Sequence, residues 1–170
     1  MSAGLPVVVV DDKHELLDPL RQLLEYEGWT VDTYDDIDAA ARALLERTEP
    51  FVLVVDHDFD RPDGRTGFDL TELLRSAHPW GPALPICYYS GRIDGGDFLA
   101  AQRGRQLVSP SSYTHKNDDV DIVDVVRQAE QAFLDFRDLF EQQALRRALL
   151  GADEDLEAGA DDDVLVGEER

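Results

Sequence analysis

Short apolar runs alternate along this chain with stretches whose leucines and alanines recur every three or four residues. Val7–Val10 is a continuous β-branched run, the pattern of a strand buried on both faces. Leu16, Leu17, Leu20, Leu23 and Leu24 then follow at helical spacing, and Gly28 stops that helix. Thr30–Tyr34 sets Val31 among polar neighbours and predicts a second strand. Asp36 can cap a helix carrying Ile37, Ala40, Ala41, Leu44 and Leu45, which Pro50 ends. Phe51–Val55 is again continuously apolar and predicts a third strand. A polar loop, HDFDRPDGRTG over 57–67, leads to a helix from about Phe68 to Ala77. Pro79, Gly81, Pro82 and Pro85 mark a turn before a fourth strand, Ile86–Tyr89. A weak helix is expected over 93–105, loosened by three glycines, and then a short fifth strand, Ser112–His115. From Asp119 to Leu150 the pattern is helical without a breaker.

Five strands alternating with helices make βαβ units, hence a doubly wound, five-stranded parallel α/β sheet. The last helix is the exception in size. At ~1.5 Å per residue it would run near 45 Å. Its distal part carries Phe133, Phe136, Leu139, Phe140, Leu145 and Leu149, a stripe expected to lie beyond the reach of the domain and to meet a partner. The expected organisation is a domain over 1–130, a helical extension over 131–150 as a homodimer or partner seam, and an acidic, disordered tail over 151–170.

Charge narrows the function. The formal net charge is −21, with 37 acidic and 16 basic residues, nine acids and one arginine falling in 151–170. No basic stripe exists to neutralise nucleic-acid phosphates or to hold an anionic membrane. The single cysteine, Cys87, sits inside the apolar run ICYY and reads as a buried strand residue. The N-terminal apolar run is too short for a signal peptide or a membrane span, so a cytoplasmic location is expected.

The ends of the strands carry the chemistry. Asp11 and Asp12 follow VVVV, Asp56 follows FVLVV, Ser90 follows ICYY, and Lys116 follows YTH. Strand ends share one edge of a parallel sheet, and ligands bind there. Lys116 stands out because only two lysines occur against fourteen arginines. A compact ammonium suits a crowded phosphoryl site better than a planar guanidinium does.

With these residues in this order, the chain resembles the receiver domain of two-component response regulators over about residues 5–130. VVVVDDKHELLDPLRQLLEYEGWTV is similar to that family's first strand, acidic pair and first helix. Pro50 stands six residues before Asp56, Pro85 five before Ser90, and Tyr113 three before Lys116, each as in the family. The resemblance implies a flavodoxin-like receiver fold with an extended C-terminal helix. It implies Asp56 as phosphoacceptor, Mg²⁺ held by Asp11, Asp12 and Asp56 with Asp58 beside them, and Ser90 and Tyr113 as the switch pair.

The chemistry agrees. An aspartate can attack phosphorus and form an acyl phosphate. Anion meets anion in that attack, so a hard, oxygen-loving cation and Lys116 must spread the charge. The function implied is that of a single-domain phosphoacceptor with self-phosphotransfer and autodephosphorylation chemistry, not an enzyme with a separate substrate. A histidine kinase or phosphotransfer protein would load it, and a downstream protein partner would read it.

Three features depart from the family. Its proline four residues after the acceptor is here Pro62, six after Asp56 but four after Asp58, which makes Asp58 a rival acceptor. Asn117 replaces the proline that usually follows the lysine. No DNA-reading domain fits in 131–170. Two alternatives stay open. VVDHDFD is similar to the DxDx motif of haloacid-dehalogenase-like phosphatases, and a non-cycling pseudo-receiver would keep the fold as a docking module only.

Overall fold

Hydrophobic continuity decides which strands lie at the centre. β1 (Val7–Val10) and β3 (Val52–Val55) are buried at every residue, and β4 (Ile86–Ser90) at all but Tyr89. β2 (Val31–Tyr34) and β5 (Ser112–His115) each bury one residue, Val31 and Thr114. The mixed strands accordingly form the edges. All five pair in parallel in the order β2-β1-β3-β4-β5, in the computed structural model, which describes residues 4–91 and 111–158. This is the five-stranded parallel α/β sheet expected from the alternating pattern, in the receiver (flavodoxin-like) order that the resemblance implies. Each fully buried valine, leucine or isoleucine contributes roughly 1.5–3 kcal/mol.

The helices follow their caps. α1 is His14–Tyr26, burying Leu17 and Leu24 while Leu16 and Leu23 stay exposed. α2 is Ile37–Leu45, and its N-cap Asp36 accepts from the Ala39 N–H at 2.9 Å. α3 is Gly67–Ala77, opened by a capping box between Thr66 and Asp69. A 3₁₀ turn, Gly81–Ala83, leads into β4. α2 and α3 share one core with Val8, Val10, Leu53, Val55, Ile86 and Tyr88. α4 is Ile122–Ala158.

Three expectations change. Phe133, assigned from sequence to the exposed stripe, is 1% exposed and meets the Trp80 ring edge-on at 5.5 Å between centroids. The helix starts at Ile122 rather than at Asp119, and just before it Asp121 Oδ1 accepts from the Val123 N–H at 2.9 Å. The same helix continues through Gly151 to Ala158, where the sequence predicts its end. One glycine costs about 1 kcal/mol in a helix, and the alanine, leucine and glutamate around it are good helix formers. The expected helix at 93–105 and residues 159–170 of the acidic tail lie outside the described residues.

The chain divides into two compact units, 1–133 and 134–170. Among the described residues no helix is long and apolar enough to cross a membrane.

Candidate functional site

The site begins with register. Val10 of β1 lies opposite Val55 of β3, so Asp11 and Asp56 leave neighbouring strands at the same level. The ladder carries on past the strand: the Asp56 N–H donates to the Val10 carbonyl at 2.9 Å. Asp12 follows at once. Oxygens of Asp11, Asp12 and Asp56 all lie within 4.8 Å of one another. Asp11 and Asp56 are 5% and 3% exposed, so this is a buried concentration of charge.

Lys116 partly answers that charge. It leaves the end of β5, where its N–H donates to the Ser90 carbonyl at 3.0 Å. Its Nζ reaches back to Asp11 Oδ2 at 2.6 Å and Asp56 Oδ2 at 3.1 Å. Burial alone would lower the Lys116 pKa, but the Asp11 hydrogen bond and the Asp56 charge together hold it above the ordinary lysine value. Asp11 is also raised, first by burial and further by the Asp56 charge, against the pull of Lys116. Both shifts favour bound protons, as expected where three carboxylates face one ammonium.

A divalent cation would answer the same need. Mg²⁺ prefers carboxylate and water oxygens. Asp12 Oδ2 accepts the Asp60 N–H at 3.0 Å, while Asp12 Oδ1 is buried and has no hydrogen-bond partner among the described residues. An unmet carboxylate oxygen in such a cluster fits a cation ligand. Asp58, expected among the metal ligands, stands outside the carboxylate cluster. It meets Asp56 through its backbone N–H, 3.3 Å from Asp56 Oδ1.

Ser90 ends β4 fully buried, and its Oγ likewise has no partner among the described residues. Tyr113 lies on β5 opposite Tyr88 and packs, half-buried, against the core. His57, given no role from sequence, sets its ring edge against Phe68 at 4.5 Å.

Gly67 was missed in the sequence. Its N–H donates to the His57 carbonyl at 2.8 Å, and a Cβ there would collide with the Asp56 carbonyl oxygen. The start of α3 therefore sits directly on the peptide that carries Asp56. Its local signal was Thr66 three residues before Asp69, a capping pattern that places Gly67 at the first helical position.

Known proteins show the same frame. The chain is 38% identical over 78 residues to the probable transcriptional regulatory protein TcrX of Mycobacterium tuberculosis, covering 46% of this chain and 32% of that one. It is 29% identical over 156 residues to the C4-dicarboxylate transport transcriptional regulatory protein DctD of Rhizobium meliloti, covering 92% and 31%. The chain thus spans about a third of the length of these curated relatives. A response regulator receiver protein from Sinorhizobium medicae superposes with a TM-score of 0.62 at 22% identity, covering 76% of this chain and 97% of that one. No family model matches. Fold and distant relatives agree: the chain has the fold of response regulator receiver domains, with an acidic pocket at the strand ends.

Proposed function

We propose that this domain is a phosphoacceptor in histidine-to-aspartate signalling, with Asp56 as the acceptor. The observation that carries the reading is Lys116 Nζ bridging Asp11 and Asp56, with the Asp12 carboxylate beside them. In the transfer, a carboxylate oxygen of Asp56 forms a bond to phosphorus as the P–N bond of a phosphohistidine breaks, and the imidazole leaves with its electron pair. Mg²⁺ held by Asp11, Asp12 and Asp56 would offset repulsion between carboxylate and phosphoryl oxygens. Lys116 can follow the phosphoryl group because its ammonium already sits on both buried carboxylates. Ser90 brings a hydroxyl to the same edge, and its shift toward a phosphoryl oxygen would leave room for Tyr113 to turn inward.

The donor would be a histidine kinase or a phosphotransfer protein, and the reader a protein contacting the surface around β5. The distal part of α4 is the proposed homodimer seam; Leu139 there is 54% exposed.

Incubation with Mg²⁺ and acetyl phosphate tests the core of this reading. The wild-type chain should accumulate an acid-stable, base-labile acyl phosphate. Asp56→Asn should abolish labelling and Asp58→Asn should keep it. The reverse pattern would move the acceptor to Asp58. Steady turnover of phosphomonoesters without a trapped acyl phosphate would support a phosphatase instead. No labelling under any condition would leave a docking module.

A further inference from the structure

The loop between β3 and α3 is held by charges that the acceptor chemistry does not use. Arg61 is the centre. Its Nη1 donates to Asp36 Oδ2 at 2.7 Å, and its Nη2 to Asp38 Oδ2 at 2.8 Å and Asp63 Oδ2 at 3.1 Å. Asp36 is the N-cap of α2, and Asp38 lies in its first turn. One guanidinium thus fastens the loop to the start of a neighbouring helix. Arg65 joins the same cluster, 2.7 Å from Asp38 and 2.9 Å from Asp63. The hydrogen bond to Asp63 comes first in holding the Arg61 guanidinium above its ordinary pKa, and Asp63 and Asp38 lie below theirs.

The clamp matters for what stands next to it. Asp60 precedes Arg61, and its N–H donates to Asp12 Oδ2. On the other side, Phe59 is buried in the core at 8% exposure. The Asp60 amide is therefore fixed between a buried ring and a clamped guanidinium. That amide takes one oxygen of Asp12 and leaves Oδ1, the buried oxygen with no partner among the described residues. We infer that Arg61 is a positioning residue for the cation site: it holds the loop so that the Asp60 N–H orients Asp12 with one oxygen turned to the metal. The inference rests on reading Asp11, Asp12 and Asp56 as a Mg²⁺ site.

Charge alone argues the other way, and this makes the idea testable. Removing a cation from the neighbourhood of three carboxylates should tighten Mg²⁺ binding. Losing an oriented ligand should weaken it, because partners of metal ligands typically contribute 10–100-fold in affinity. The sign of the change therefore separates positioning from electrostatics.

The experiment is Mg²⁺ titration by calorimetry on the full chain, beside amide hydrogen exchange at Asp60 without metal. Arg61→Gln should weaken Mg²⁺ by about tenfold and speed Asp60 exchange. Arg65→Gln removes the same charge from the same cluster without neighbouring Asp60, and should leave both readouts near wild type. Arg61→Lys, which keeps the charge but cannot bridge three carboxylates with one planar fork, should fall between. It also serves if Arg61→Gln does not fold. Binding by the Gln variant as tight as wild type, or tighter, overturns the proposal, as does equal weakening by Arg65→Gln. If the wild-type chain takes up no Mg²⁺, the reading of the site fails and the metal role of Arg61 with it. Asp60 exchange then still decides whether Arg61 holds the loop, since unchanged exchange in Arg61→Gln removes that claim too.

Discussion

Gly67 has no room for a side chain, because a Cβ would strike the carbonyl oxygen of Asp56, the proposed acceptor. Gly67→Ala should therefore cost about 3 kcal/mol, at the upper end of typical overpacking penalties. A urea midpoint that does not move would show that the α3 entry yields easily. His78 offers a second residue-scale test. It is 4% exposed, its ring meets Phe51 edge-on, and its Nδ1 accepts the Trp80 N–H at 3.0 Å. Burial holds its pKa below the ordinary histidine value. The unfolded chain thus takes up a proton that the folded chain resists. Stability should be full above the ordinary histidine pKa of ~6.5 and fall as the pH drops through it. Melting at pH 7.5 and 5.5 should show this loss in wild type and a flatter response in His78→Gln; an equal loss in both would assign the acid sensitivity elsewhere. Asp11, Asp12, Asp56 and Lys116 were legible in the sequence because each stands at the end of a predicted strand, and a parallel sheet collects such ends on one edge. Gly67, Asp60 and Arg61 were not, because their roles depend on which loop lies over which strand.

Elements were legible to within a residue or two wherever one signal marked their ends. The central strands β1, β3 and β4 follow the apolar runs, and α2 begins after the cap read from Asp36. α4 was harder. Asp118, Asp119 and Asp121 all offer themselves as caps, and only the Val123 N–H shows that Asp121 is used. What docks this helix was also hidden, since its partners are about a hundred residues away. Glu130 Oε1 accepts the Leu5 N–H at 2.6 Å, and Oε2 accepts the Trp29 Nε1–H at 3.0 Å. Arg127 adds an ion pair to Glu27 at 2.9 Å and lies over the Trp29 ring. One carboxylate therefore ties the helix to the entrance of β1 and to the turn before β2. Hydrogen bonds to charged groups contribute about 1.5–3 kcal/mol each. Because both are half-buried, Glu130→Ala should lose about 2 kcal/mol in all and shift the emission of Trp29 to longer wavelength. Equal urea midpoints for variant and wild type would show that Arg127 and the apolar face of α4 suffice.

At the scale of the whole molecule, the division after Phe133 corrects where the chain can be cut. A truncation after Ala132 looks harmless if Phe133 belongs to an exposed stripe. It is not, because Phe133 is buried on Trp80. Losing a buried phenylalanine costs about 3–5 kcal/mol. The shorter piece should thus melt lower, by on the order of 10 °C for a domain of this size. A piece ending at Asp135 should melt close to the full chain and still take up phosphate. The same pair of truncations tests self-association. Residues 134–170 carry twelve acidic and four basic residues, so two copies brought together there repel. Screening shortens that repulsion to ~8 Å at physiological ionic strength and ~3 Å at 1 M salt. If the distal helix is a dimer seam, sedimentation of the full chain should show a dimer that strengthens with added salt, and the piece ending at Asp135 should stay monomeric throughout. A full chain that sediments as a monomer at tens of micromolar in both low and high salt, with and without phosphodonor, would end the dimer proposal and leave the helix for a different protein.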